Sequence, residues 1–92
     1  MDVDPRYTSH TMLVMREVLG ARFGIDTQEL SLDTPLASLG LDSLGFIEYL
    51  FEIEKALNIT LPDVPRELQS VGALVAFIAR EAQRQAPSAV ST

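Results

Sequence analysis

The 92-residue chain contains no cysteine, which excludes disulfides, thiolate nucleophiles and thiolate metal sites together. It has one histidine, His10, with no thiol to pair with, and a lone histidine near the start of a helix reads as a polar surface residue. Neither a glycine-rich phosphate loop nor a histidine–carboxylate spacing suited to a metal is present. No apolar run approaches the roughly 20 residues that span a bilayer. The opening "MDVDPRY" lacks the basic-then-apolar pattern of a secretion signal. A cytoplasmic protein with no membrane span is therefore expected. Basic residues are also scarce: seven Lys and Arg face thirteen Asp and Glu, a net charge of −6. A phosphate backbone would be repelled, which argues against nucleic acid, whereas basic patches on other proteins would be attracted. The same acidity also serves to keep a small protein soluble.

What remains is apolar enough to fold. Hydrophobic residues make up 47% of the chain and charged residues 22%, which suits one small domain with a modest core. Residues 1–7 read as a flexible lead-in. Thr8 or Ser9 can cap a first helix that runs to about Arg22 and stops at Gly24, with Met12, Met15, Val18, Leu19 and Phe23 on one face. Residues 25–41 form the longest connection, and five leucines, at 30, 32, 36, 39 and 41, mark it as a packed loop rather than a solvated linker; a strand is the weaker alternative. A second helix is expected over 43–57, ended by "ITLPD", where Pro62 cannot continue it. "PRELQ" at 65–69 has room for one short helical turn. Ser70 caps a last helix to about Arg84 with Val71, Leu74, Val75, Ile78 and Ala82 inward, and a disordered tail follows over 85–92. The fold class is all-α: a small four-helix bundle of three longer helices and one short one, with a domain over 8–84.

The stretch "GLDSLGFIEYLFEIE", residues 40–54, holds the candidate site. Asp42 suffices as the cap of the second helix, so Ser43 is not needed for that task. A serine in the first turn sits at the positive end of the helix dipole, where a phosphate ester is stabilised. Such a phosphate could come from a kinase or from a phosphorylated prosthetic group; the plain reading is that both residues only cap. At about 100° per residue, Phe46, Leu50, Ile53 and Leu57 form a sufficient core face, with Tyr49 at its edge. Leu44, Ile47 and Phe51 fall on a second stripe, with Glu48 and Lys55 on one flank and Glu54 on the other. This stripe reads as a docking surface, unless the leucine-rich loop covers it. The carboxylates at 48, 52 and 54 are better explained by a solvated helix face than by acid–base chemistry.

"LGLDSL", with Gly40, Asp42, Ser43 and Leu44, resembles the attachment motif of acyl carrier proteins. "FGIDTQEL" before it, "NITLPD" after it and the final capped helix follow in that family's order and spacing, over about residues 12–82. The resemblance implies a helical bundle that carries acyl groups as thioesters on 4'-phosphopantetheine. Ser43 would be the attachment residue, and Asp42 its neighbour in the motif. The arm would come from coenzyme A through a phosphopantetheinyl transferase that uses magnesium. It also implies that Leu44, Ile47, Glu48, Phe51 and Glu54 meet partner enzymes, namely acyl-activating, condensing or acyltransferase enzymes with basic docking patches. The carrier itself would be a non-catalytic monomer in fatty-acid, polyketide or related specialised biosynthesis.

Three features depart from the family pattern. Gly45 replaces an acidic or polar residue and weakens the first turn by up to ~1 kcal/mol. "VPRELQ" is not distinctly acidic, and Phe51 is bulkier than the usual aliphatic residue. They suggest a carrier with its own partner set. A peptidyl or aminoacyl carrier is the near alternative. From another class, the alternative is a helical interaction module with no prosthetic group.

Overall fold

The computed structural model of the chain describes residues 3–65 and 67–85. Three α-helices dominate: α1 (Pro5–Phe23), α2 (Ser43–Leu57) and α3 (Val71–Arg84). α1 packs against both α2 and α3. The core is built from Met15 and Leu19 of α1, Tyr49 and Ile53 of α2, and Leu74 and Ile78 of α3, all fully buried. Each such side chain stabilises the fold by about 1.5–3 kcal/mol through burial.

α1 begins earlier than Thr8 or Ser9. Asp4 is its cap, accepting from the Arg6 amide at 2.9 Å, and Pro5 is the first helical residue. The pair works because an aspartate carboxylate satisfies a free first-turn amide while proline is already set to helical φ and lacks the N–H that would go unpaired. The Asp4 amide in turn donates to Gln83 Oε1 at 2.6 Å, so the described part of the expected lead-in is tied to the end of α3. The disordered tail expected after Arg84 lies, from residue 86 on, outside the described residues. Gln85 itself is held, its side-chain amide accepting from the Thr60 N–H at 2.9 Å and donating to the Thr60 carbonyl at 2.6 Å.

The expected short helix at 65–69 is not found among the described residues, where a single turn closes by Leu68 N–H donating to the Pro65 carbonyl at 3.3 Å. The short helical element lies instead inside the long connection, as a 3₁₀ turn over Leu36–Leu39. Pro35 precedes it, the Ser38 hydroxyl donates back to the Pro35 carbonyl at 2.7 Å, and Gly40 at φ 78° ends it. A side chain at that φ would be strained, so glycine is the residue that turns the chain toward α2. Among the described residues no longer strand forms, only an isolated antiparallel bridge between Pro35 and Ser70.

The loop is packed, as its leucines implied. Leu30 and Leu39 are buried, Leu36 and Leu41 are half-buried against the core, and only Leu32 stands out. The loop docks on the start of α3 by three backbone bonds: Val71 N–H to the Thr34 carbonyl at 2.8 Å, Gly72 N–H to the Leu32 carbonyl at 2.7 Å, and Leu36 N–H to the Gln69 carbonyl at 2.8 Å. This approach requires Gly72. A Cβ there would lie 2.8 Å from the Leu32 carbonyl oxygen, closer than van der Waals contact permits.

Candidate functional site

The site forms where the loop turns into α2. Asp42 takes the extended backbone of a cap, and its Oδ1 accepts from the Gly45 amide at 2.6 Å. Ser43 is the first helical residue and is exposed, so its hydroxyl is accessible while the cap is made next door. Gly45 also finds a reason here. A Cβ at 45 would lie 3.0 Å from Asp42 Oδ1 and within 3.8 Å of the Leu41 side chain. Its absence leaves room for the short cap.

Beside Ser43 a groove of about 370 Å³ is lined by Leu36, Ala37, Leu41, Phe46, Val64, Pro65 and Leu68, with Asp42 and Ser43 at its edge. Sequence periodicity along α2 could not reveal this lining, because most of it comes from the 3₁₀ turn and from the 61–68 segment. The leucines at 36 and 41 were the one available hint.

Burial on α2 is rotated from the expected face. Tyr49 and Ile53 are fully buried, while Phe46, Leu50 and Leu57 are half-buried against the core. Tyr49 is thus the centre of the face rather than its edge. Its hydroxyl donates to the Met15 carbonyl at 3.2 Å, and the Phe23 ring meets it edge-on at 5.9 Å. The hydroxyl bond lets a tyrosine sit where periodicity favours a fully apolar residue. Burial pushes the Tyr49 phenol well above its ordinary pKa.

The second stripe is bare. Leu44, Ile47 and Phe51 are 64%, 47% and 58% exposed, so the leucine-rich loop does not cover them. Phe51 lies roughly 160° round the helix from Ile53 at 100° per residue, which explains why packing cannot bury both. Glu48 is exposed. Glu54 is half-buried, and its Oε2 accepts from the Leu61 amide at 2.6 Å, a structural contact that sequence spacing did not suggest. No described helix is long and apolar enough to cross a membrane.

Residues 14–78 match the phosphopantetheine attachment site family. The chain belongs to this family of carrier proteins. The carrier is similar to the acyl carrier protein of Streptococcus pneumoniae serotype 4, at 30% identity over 69 residues that cover 75% of this chain and 92% of that protein. It is likewise similar to the acyl carrier protein of Streptococcus pyogenes serotype M3, at 33% over 64 residues, 70% of this chain and 85% of that one. A non-reducing polyketide synthase, dbaI of Emericella nidulans, matches at 34% identity over 79 residues, 85% of this chain. The carrier spans only 3% of that synthase's length.

The prosthetic group of such a carrier is 4'-phosphopantetheine. The residues present fit it. An exposed hydroxyl stands at a helix N-terminus whose dipole favours a phosphodiester, and an apolar groove opens beside it. When bound, the group supplies the thiol that this cysteine-free chain lacks.

Proposed function

We propose that Ser43 is the attachment residue and that the chain carries acyl groups as thioesters on the arm joined to its Oγ. A phosphopantetheinyl transferase with magnesium would load it. In that step the Ser43 hydroxyl oxygen displaces adenosine 3',5'-bisphosphate from coenzyme A, so one phosphodiester forms, one pyrophosphate bond breaks and the hydroxyl proton is released. The carrier is a non-catalytic monomer of fatty-acid, polyketide or related specialised biosynthesis. It serves acyl-activating, condensing or acyltransferase enzymes, which its net charge of −6 draws toward it where they carry basic patches.

The observation that carries this reading is the division of labour at the start of α2. Asp42 makes the cap, and the adjoining Ser43 hydroxyl is left exposed beside an apolar groove. The likeness to two acyl carrier proteins and to a polyketide synthase supports acyl rather than aminoacyl cargo. The bare stripe of Leu44, Ile47 and Phe51, with Glu48 and Glu54 beside it, is the proposed contact for partner enzymes, since it begins at the residue after Ser43.

The test is an intact mass after incubation with coenzyme A, magnesium and a broad-specificity phosphopantetheinyl transferase. One adduct is expected on the wild type and none on Ser43→Ala. A wild type that stays unmodified would count against the carrier function, and an adduct that survives in Ser43→Ala would move the site elsewhere.

A further inference from the structure

A cavity of about 280 Å³ lies where the start of α1 meets the ends of α2 and α3. α2 runs for 15 residues from Ser43 to Leu57, so this cavity stands about 20 Å along the helix axis from Ser43. It shares no lining residue with the groove there. Its lining combines the apolar Ala56, Leu57, Ile59 and Ala82 with the polar Tyr7, His10, Thr11, Asn58 and Gln85. Two of the polar residues are committed to the frame. The Gln85 side chain bonds the Thr60 backbone in both directions, and Asn58 is the left-handed cap of α2. Thr11 has no such bond. It is 1% exposed, and its Oγ1 finds no partner among the described residues. A hydroxyl left in that state is costly, and a molecule held in the cavity supplies the bond that the protein does not.

We infer that this cavity is a second binding site, for a small neutral molecule with a benzene-sized apolar body and one hydroxyl or amide. Size and charge both point to that class. A dry cavity of about 150 Å³ holds benzene, so about 280 Å³ takes such a ring together with its head group. The lining contains no aspartate, glutamate, lysine or arginine. On the adjoining turns Asp4 pairs with Arg6 and Glu81 with Arg84, each at 2.8 Å, and Lys55 pairs with Glu52 at 3.2 Å. An anion would meet the negative ends of two helix dipoles, those of α2 and α3. An ammonium group would lose water with no carboxylate in the lining to replace it. The apolar body rests against Leu57, Ile59 and Ala82, and the head group bonds Thr11. Occupancy ties the start of α1 to the ends of α2 and α3, and it stabilises the fold by mass action. The site does not depend on the reading of Ser43.

The experiment titrates the full nitrogen-15-labelled chain with benzamide and benzyl alcohol, and with benzoate and benzylammonium as charged counterparts, followed by amide chemical shifts. Benzamide is expected to bind with a dissociation constant on the order of 1 mM, the scale for a ligand of about nine heavy atoms. The largest shifts should fall on residues 7–11, 56–59 and 82–85, and saturating benzamide should raise Tm. Thr11→Val should keep the fold and weaken benzamide about 2–10-fold, the loss of one hydrogen bond. Ala56→Leu, a change at an exposed helical position, should fill part of the cavity and abolish the shifts. Circular dichroism verifies that each variant is folded. The proposal is overturned by the absence of saturable shifts with both neutral probes, or by tighter binding of benzoate or benzylammonium. Wild-type affinity in either variant overturns it as well. Shifts centred on Leu41, Val64 and Leu68 would place the ligand in the groove beside Ser43 and count equally against it.

Discussion

Gly72→Ala should destabilise the protein more than any change of one methyl group on its surface. Position 72 lies in the first turn of α3, where alanine would ordinarily favour the helix by up to ~1 kcal/mol. Here the added Cβ meets the Leu32 carbonyl oxygen at 2.8 Å and the Leu32 Cβ at 3.0 Å. The first of these is a backbone atom, so the clash cannot be relieved by turning a side chain. Either the 32–36 segment lifts off α3 or the start of α3 moves. Lifting it stretches the Gly72 N–H bond to Leu32, now 2.7 Å, and the Val71 N–H bond to Thr34, now 2.8 Å. Each is worth about 0.5–1.5 kcal/mol net, and forced overpacking costs about 1–3 kcal/mol. After the gain in helix propensity, a net loss of about 1–5 kcal/mol is expected. For a domain of this size each kcal/mol lowers Tm by about 4–8 °C, so the melting temperature should fall by at least several degrees. The assay is thermal and urea unfolding followed by far-ultraviolet circular dichroism. A Tm equal to or above that of the wild type would refute the reasoning, because it would mean that the loop does not rest on residue 72.

Two further stability changes follow from buried hydroxyls. Thr11 is 1% exposed and its Oγ1 has no partner among the described residues, so Thr11→Val should stabilise the fold by about 1 kcal/mol through removal of an unsatisfied group; a lower Tm would contradict this. Tyr49→Phe removes the bond to Met15 and should cost about 0.5–1.5 kcal/mol at neutral pH. The same substitution should alter the alkaline limb of the stability curve. Burial raises the Tyr49 phenol pKa in the folded state, while the unfolded value lies near 10. The unfolded chain therefore loses its proton first. The stability that depends on the neutral phenol is complete below about pH 10 and declines above it by up to ~1.4 kcal/mol per pH unit until the folded value is reached. Urea midpoints measured from pH 9 upward should fall more steeply for the wild type than for Tyr49→Phe, and parallel curves would refute the assignment.

Much of the helical frame is legible along the chain because its signals are local. Ser70 caps α3 and Asp42 caps α2 through bonds that span three residues, and the apolar period of α3 places Val71, Leu74, Val75, Ile78 and Ala82 inward as found. At two helix ends the signal that acts is another one than the sequence reading named. The Asp4–Pro5 pair opens α1 ahead of Thr8 and Ser9. α2 ends at Asn58, whose φ of 58° places it in the left-handed region that asparagine tolerates, before Pro62 can act. A short helical element also stands at 36–39, inside the long connection, because a 3₁₀ turn needs few residues and is decided by what it rests on.

The site divides along the same line. Sequence alone determined that Ser43 follows a sufficient cap and that Leu44, Ile47 and Phe51 share one stripe, since capping and helical period act over three or four residues. Only the tertiary structure decided that Tyr49 replaces Phe46 and Leu50 at the centre of the buried face, that the leucine-rich loop leaves the stripe bare, and that Glu52 and Glu54 are engaged by groups 3–30 residues away. Burial and charge pairing depend on which distant segments arrive at a face and at what rotation, and no local pattern encodes that arrival.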